Sequence, residues 1–196
     1  MTALRRGFKA EANSIAREVR QELGLGLADP LDSWALAGHL KIPVMPLTKL
    51  RREAPLAVRH FTRVNCGEFS GVTVFRGSAR LIVFNDSHSP GRRASDLAHE
   101  LAHALLQHPP RPALDGSGCR DWDAELEEEA AWLAGALLVS DEAAIAVARS
   151  GMATADAAKK YGVSPKMMLF RLNVSGAQAR VERARSWRTN AGRQNA

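Results

Sequence analysis

Cysteine is nearly absent: Cys66 and Cys119 are the only two in 196 residues, too few for a disulfide framework, and both read as reduced thiols with no chemical role. Long hydrophobic runs are missing as well. The longest apolar stretch, Ala130 to Val139, falls short of the roughly 20 residues a spanning helix needs, which argues against a transmembrane segment. Met1 to Lys9 has no apolar stretch of the kind a secretory leader carries, so a cytoplasmic location is the expectation. There is no internal repeat and no low-complexity linker. Acidic residues are scarce toward the end: residues 149–196 hold 10 Lys+Arg against 2 Asp+Glu, whereas residues 1–148 hold 17 against 19. What remains is a chain of ordinary single-domain length whose 45% hydrophobic residues suffice for a core.

Against that background His99-Glu100-Leu101-Ala102-His103 stands out. On a helix, residues four apart have Cβ atoms about 5–6 Å apart, so His99 and His103 can present ring nitrogens to one metal ion at about 2.0–2.1 Å. Glu100 is turned by one residue, placed to hydrogen-bond a water at that ion rather than to ligate it. Leu97, Ala98, Leu101, Ala102, Leu105 and Leu106 give the apolar face of a helix predicted over Arg92 to Gln107, capped near Ser95 and stopped by Pro109-Pro110. The alternative is a pair of core histidines satisfied by protein partners.

A zinc site of this kind needs a third protein ligand and an open position. Trp122 to Val139 reads as one helix with a stripe through Leu126, Ala130, Leu133, Ala134 and Leu137. Glu127 stands beside that stripe, so its carboxylate is carried inward, where it demands a cation or a hydrogen-bonded partner. Glu129 is the next choice, and a solvated run of glutamates at a helix start is the plainest reading.

The remaining elements complete an α+β pattern. Helices are expected over Phe8 to Leu23, Leu31 to Leu40, Asp141 to Arg149, Ala153 to Tyr161 and Pro165 to Val174. Strands are expected at Ile42 to Leu47, Leu56 to Arg63, Phe69 to Phe75 and Arg80 to Asn85, with Pro109 to Arg120 a loop bordering the cleft. Gly71, Val72, Thr73 and Val74 are the candidate sheet edge for pairing with an extended substrate backbone. An interior strand with no free edge is the alternative. The chain divides into a core over 1–150, a helical segment over 151–176 packed on it, and a basic, flexible tail over 177–196, for which a partly frayed helix is the alternative.

These motifs resemble the ImmA/IrrE family of metallopeptidases over most of the chain. Leu81 to Asn85 followed by Arg92 to His103 looks like that family's strand, loop and catalytic helix. Glu127 to Ser140 is similar to its pattern Glu-x-Glu-Ala-Asn-x-Phe-Ala-Ala-x-Leu-Leu-Met-Pro, and Tyr161 to Leu172 to its closing helical segment. Ala131 stands where the family has Asn, Leu133 where it has Phe, and Val139-Ser140 where it has Met-Pro. The resemblance implies a zincin-like core, with a small, mostly antiparallel sheet beside the motif helix. It also implies a cytoplasmic zinc endopeptidase that cleaves a helix-turn-helix DNA-binding repressor in stress or mobile-element regulation.

On that reading Zn2+ is held by His99, His103 and Glu127, and Glu100 is the general base. The oxyanion donor is open among His60, His88, His108, Arg92 and Tyr161, with His88 preferred. Three rivals stand beside it. A DNA-binding regulator would use the helical pair over 154–174 and weak nucleic-acid contact through the basic tail, although Met167 to Phe170 put apolar residues where base-reading groups belong. A deformylase-like hydrolase would recruit Cys66 or Cys119 as third ligand. A non-catalytic protein would bind a repressor without cutting it.

Overall fold

The computed structural model describes residues 4–77, 79–109 and 123–194. Helices α1 (Phe8–Glu22) and α2 (Ser33–His39) come first. Strand β1 (Val44–Pro46), a 3-10 turn (Leu47–Arg51), α3 (Pro55–Arg59), a π turn (His60–Val64), β2 (Gly71–Arg76) and β3 (Ala79–Phe84) follow. The rest is helical: α4 (Pro90–Leu105), α5 (Ala124–Leu138), α6 (Asp141–Ser150), α7 (Thr154–Lys160), α8 (Pro165–Val174) and α9 (Ala177–Gln194). The chain is thus α+β, with one small sheet among the described residues. Cys119 and the loop beyond Pro109 expected to border a cleft lie outside the described residues.

Helix α5 is central, packed on by α1, α4 and α8. That position explains its composition: Ala130, Leu133, Ala136, Leu137 and Leu138 are fully buried, so the helix is apolar nearly all round because it has neighbours nearly all round. Among the described residues, no single helix is long and apolar enough to cross a membrane. The Asp123 carboxylate caps its start by accepting from the Glu125 and Leu126 amides. Its far end is held by two buried guanidinium groups. Arg20 on α1 donates to the Leu137 carbonyl at 2.7 Å, and Arg171 on α8 donates to the Val139 carbonyl at 2.8 Å and to Asp141 at 2.9 Å. Burial lowers the Arg20 pKa to about 10 and lowers that of Arg171 as well. Cations at the end of a helix dipole complement its negative pole.

The sheet has order β1-β3-β2, with β1 parallel and β2 antiparallel to β3. Its two faces serve different layers. Ile82 joins the helical core, whereas Val83 packs with Leu47, Val58, Phe61 and Val72 in a smaller cluster on the other side. Strand β2 is an edge. The Asn85 amide donates to the Ser70 carbonyl at 2.8 Å, and since hydrogen-bonded pairs alternate along an antiparallel ladder, the main-chain groups of Val72 and Val74 also face β3. Those of Gly71, Thr73 and Phe75 therefore point away from it.

Three expectations need correction. Leu56 to Arg63 is helical rather than a strand: Pro55 begins a turn, Val58 and Phe61 pack inward at helical spacing, and Leu56 and Val64 are left exposed, so its β-branched and aromatic content reflects packing, not alternation. The helix α4 begins at Pro90, which suits a first helical position. Ser95 does not cap it; one turn in, its hydroxyl donates back to the Gly91 carbonyl. The basic tail is helical from Ala177 to Gln194, because Ala177 and Val181 are buried and α9 packs on α6 and α8. Helices α7 and α8 bury Ala157, Ala158, Met168 and Leu172 in the same core as α4 and α5, and the one arginine of α8, Arg171, points inward.

Candidate metal centre

Helix α4 has two working faces. Leu97, Ala98, Leu101 and Ala102 are fully buried, each leucine stabilising the fold by about 1.5–3 kcal/mol. His99, Glu100 and His103 lie on its half-buried side. Packing of α4 on α5 brings Glu127 to both histidines. His99 Nε2 is 3.0 Å from Glu127 Oε2, His103 Nε2 is 3.1 Å from His99 Nε2, and His103 Nε2 is 3.8 Å from Glu127 Oε2.

These separations bracket the roughly 3.3 Å between ligand atoms that tetrahedral geometry with 2.0–2.1 Å bonds requires. Among the described residues, His99, His103 and Glu127 are the group whose donor atoms could hold a metal ion. Two imidazoles and a carboxylate are also a donor set suited to a borderline divalent cation. Burial, the largest influence, pushes the Glu127 carboxyl up, but hydrogen bonds from His103 and His99 and their charges outweigh it and hold it far below the usual carboxylate range. Glu127 is therefore held as an anion by the two imidazoles beside it. Cys66 is a half-buried free thiol and is not among these ligands.

Glu100 is held from above by the edge strand. The Thr73 hydroxyl donates to Glu100 Oε2 at 2.5 Å, and a Cβ placed on Gly71 would sit 3.5 Å from Glu100 Cγ. Gly71 and Thr73 thus share the face of β2 that covers α4, and the side chain of Glu100 lies under the outward-pointing main chain. Val72 faces the small cluster instead, and Val74 is exposed. A cleft of about 290 Å3 opens beside the three candidate ligands, lined by His99, Ala124, Glu127, Glu128 and Ala131.

The other candidate residues are engaged elsewhere. His88, preferred as an oxyanion donor, is buried with both ring nitrogens taken, Nδ1 by Asp96 at 2.7 Å and Nε2 by the Cys66 carbonyl at 2.7 Å. With Asn85, whose amide donates to the Phe61 and Phe69 carbonyls, it fastens the loop between β3 and α4. The Tyr161 hydroxyl is committed to the Ala28 carbonyl at 2.8 Å, His60 pairs with Glu68, and Arg92 donates to Ser70 Oγ at 3.2 Å. His108 is different: its Nδ1 is 2.8 Å from His103 Nδ1 and its Nε2 is 3.5 Å from Glu129. Burial and the neighbouring His103 lower the His108 pKa. Glu129 therefore faces away from the three ligands, toward His108 and Arg5.

Sequence reasoning missed the Thr73–Glu100 contact, although Thr73 and Gly71 at period two on a predicted edge strand signalled a shared face. It also did not join His108 to Glu129. Residues 44–173 match the family model described as Peptidase_M78, IrrE N-terminal-like domain. No curated protein matches the chain.

Proposed function

Because that match spans most of the chain, the chain belongs to the Peptidase_M78 family, and from this premise we propose that it is a zinc-dependent endopeptidase with a zincin-like site. The observation that carries the reading is the convergence of three donor atoms within 4.8 Å of one another, two from α4, the helix that also presents Glu100, and one from α5. His99, His103 and Glu127 would hold the zinc ion, which would supply Lewis acidity toward a scissile carbonyl and a water. Glu100 accepts the proton of the attacking water and delivers it to the amine nitrogen as the C–N bond breaks. Thr73 keeps the Glu100 carboxylate pointed while it does so.

The substrate backbone binds along β2. The outward N–H and C=O groups of Gly71 and Thr73 pair with an extended peptide and contribute main-chain hydrogen bonds independent of side chain. The substrate we propose is a helix-turn-helix DNA-binding repressor, cleaved in the cytoplasm as part of stress or mobile-element regulation. The similarity of the α4 and α5 motifs to ImmA/IrrE peptidases supports this.

The test is zinc content together with hydrolysis of a quenched-fluorescent peptide library. Wild type is expected to hold one zinc per chain and to cleave. Glu100→Gln is expected to hold zinc and lose cleavage by about 10²–10⁴-fold. Folded wild type that takes up no divalent ion, or a Glu100→Gln variant that cleaves like wild type, overturns the reading.

A further inference from the structure

Helix α4 ends in a turn that brings a third imidazole, His108, against the candidate metal centre. The His108 amide donates to the His103 carbonyl at 3.0 Å and the Gln107 amide to the Ala104 carbonyl at 3.2 Å, the paired bonds of a Schellman motif. Gln107 occupies the left-handed position of that motif at φ 55, although it is not glycine. In such a motif the residues bonded across the turn bring their side chains together. Here those residues are His103 and His108, and their side-chain contact is a hydrogen bond of 2.8 Å between the two Nδ1 atoms. His108 is buried to 7% side-chain exposure, so no water competes freely for it.

One proton lies between those nitrogens, and the neighbouring atoms decide whose it is. His103 turns Nε2 toward His99 and Glu127, where a lone pair is needed for a metal. Once Nε2 gives its lone pair to a metal, the ring proton is on Nδ1 and is donated to His108. His108 then accepts on Nδ1 and carries its own proton on Nε2, which faces Glu129 Oε2 at 3.5 Å. The other Glu129 oxygen accepts from Arg5 Nε at 2.7 Å, and Arg5 Nη2 donates to Glu11 at 2.7 Å. Arg5 and Glu11 precede residues 44–173, the span that matches the family model.

We propose that His108 is a positioning residue for the metal ligand His103, backed by Glu129 and through it by Arg5, so that the N-terminal segment sets metal affinity from outside the family domain. This rests on the reading of His99, His103 and Glu127 as metal ligands. Partners of this kind fix the tautomer and ring orientation of a ligating histidine, and their loss weakens metal binding by about 10–100-fold.

The experiment is Co2+ and Zn2+ titration of the full-length, chelator-stripped protein, reading the dissociation constant and the visible Co2+ absorption. His108→Leu, which removes the acceptor, is expected to weaken binding about 10–100-fold and to change the Co2+ spectrum. His108→Asn places an amide oxygen near the former Nδ1, accepts the His103 proton and is expected to recover most of the affinity and the wild-type spectrum. Glu129→Gln and Arg5→Ala are expected to give smaller losses of the same sign. Wild type that binds metal beside a His108→Leu variant of equal affinity and unchanged spectrum overturns this inference alone. So does equal weakening in the Leu and Asn variants, which would mark a packing effect. Wild type that binds neither ion overturns the metal reading itself.

Discussion

Replacing Thr73 by Val removes one hydroxyl and little volume. Both residues suit a strand, so the pairing of β2 with β3 is expected to survive. The lost hydroxyl donates to Glu100 Oε2 at 2.5 Å. A hydrogen bond to a charged group contributes about 1.5–3 kcal/mol. Where all of that energy goes into holding the Glu100 carboxylate for proton transfer, the change at about 1.4 kcal/mol per decade lowers kcat/KM about 10- to 150-fold. Zinc content is expected to stay at the wild-type value. A double-mutant cycle isolates the effect: on a Glu100→Gln background, where the carboxylate is already gone, Thr73→Val is expected to cost less than about twofold. Hydrolysis of the quenched-fluorescent peptide library by the four proteins supplies the numbers. A Thr73→Val penalty as large on the Gln background as on wild type refutes the claim that Thr73 acts through Glu100.

Saturating zinc at about 100 times its dissociation constant is expected to stabilise the chain by about 2.7 kcal/mol. That raises Tm by about 5–11 °C for this size of domain; chelator reverses the shift in wild type and does nothing in His99→Ala, as scanning calorimetry will show. Tyr161→Phe leaves the Ala28 carbonyl without its partner and is expected to cost about 1–2 kcal/mol in urea unfolding. Burial raises the folded Tyr161 pKa above 10.0, so the folded state holds this proton more tightly than the unfolded chain. Its contribution is full below pH 10 and is lost as pH rises through the folded value, so wild type is expected to lose stability above pH 10 faster than Tyr161→Phe. Gly91→Ala would set a Cβ 2.9 Å from the Val163 carbonyl carbon and 3.0 Å from the Ser164 nitrogen. Moving α4 off that turn is expected to cost about 1–3 kcal/mol, and an unchanged Tm would contradict the close approach.

The pairing of His99 with His103 was legible because it depends on a helical offset that local sequence encodes, and Glu127 because a carboxylate beside the apolar stripe of α5 needs a partner inside, although its approach rests on the packing of α4 on α5. The α+β composition was likewise legible from local sequence. The strand expected at Leu56 to Arg63 failed because burial of Val58 and Phe61 beneath the sheet, a tertiary matter, outweighed the local preference of β-branched residues. Arg20 and Arg171 were invisible as interior residues, since a charged side chain reads as surface until the carbonyls it serves are in place. His108 and Glu129 were each noticed separately. Their connection depends on Gln107 adopting a left-handed conformation that its residue type does not announce.

The two guanidinium groups at the far end of α5 have a consequence for the chemistry. Glu127 and Leu137 are ten residues apart, about 15 Å along one rigid rod, and a slip of that rod by a single residue would carry the carboxylate about 1.5 Å out of register with the imidazoles. Arg20 and Arg171 act as end stops for the rod. Alignment of the proposed metal site is thus guarded from the opposite end of α5, and damage there is expected to register as weakened ion capture before it registers as loss of shape.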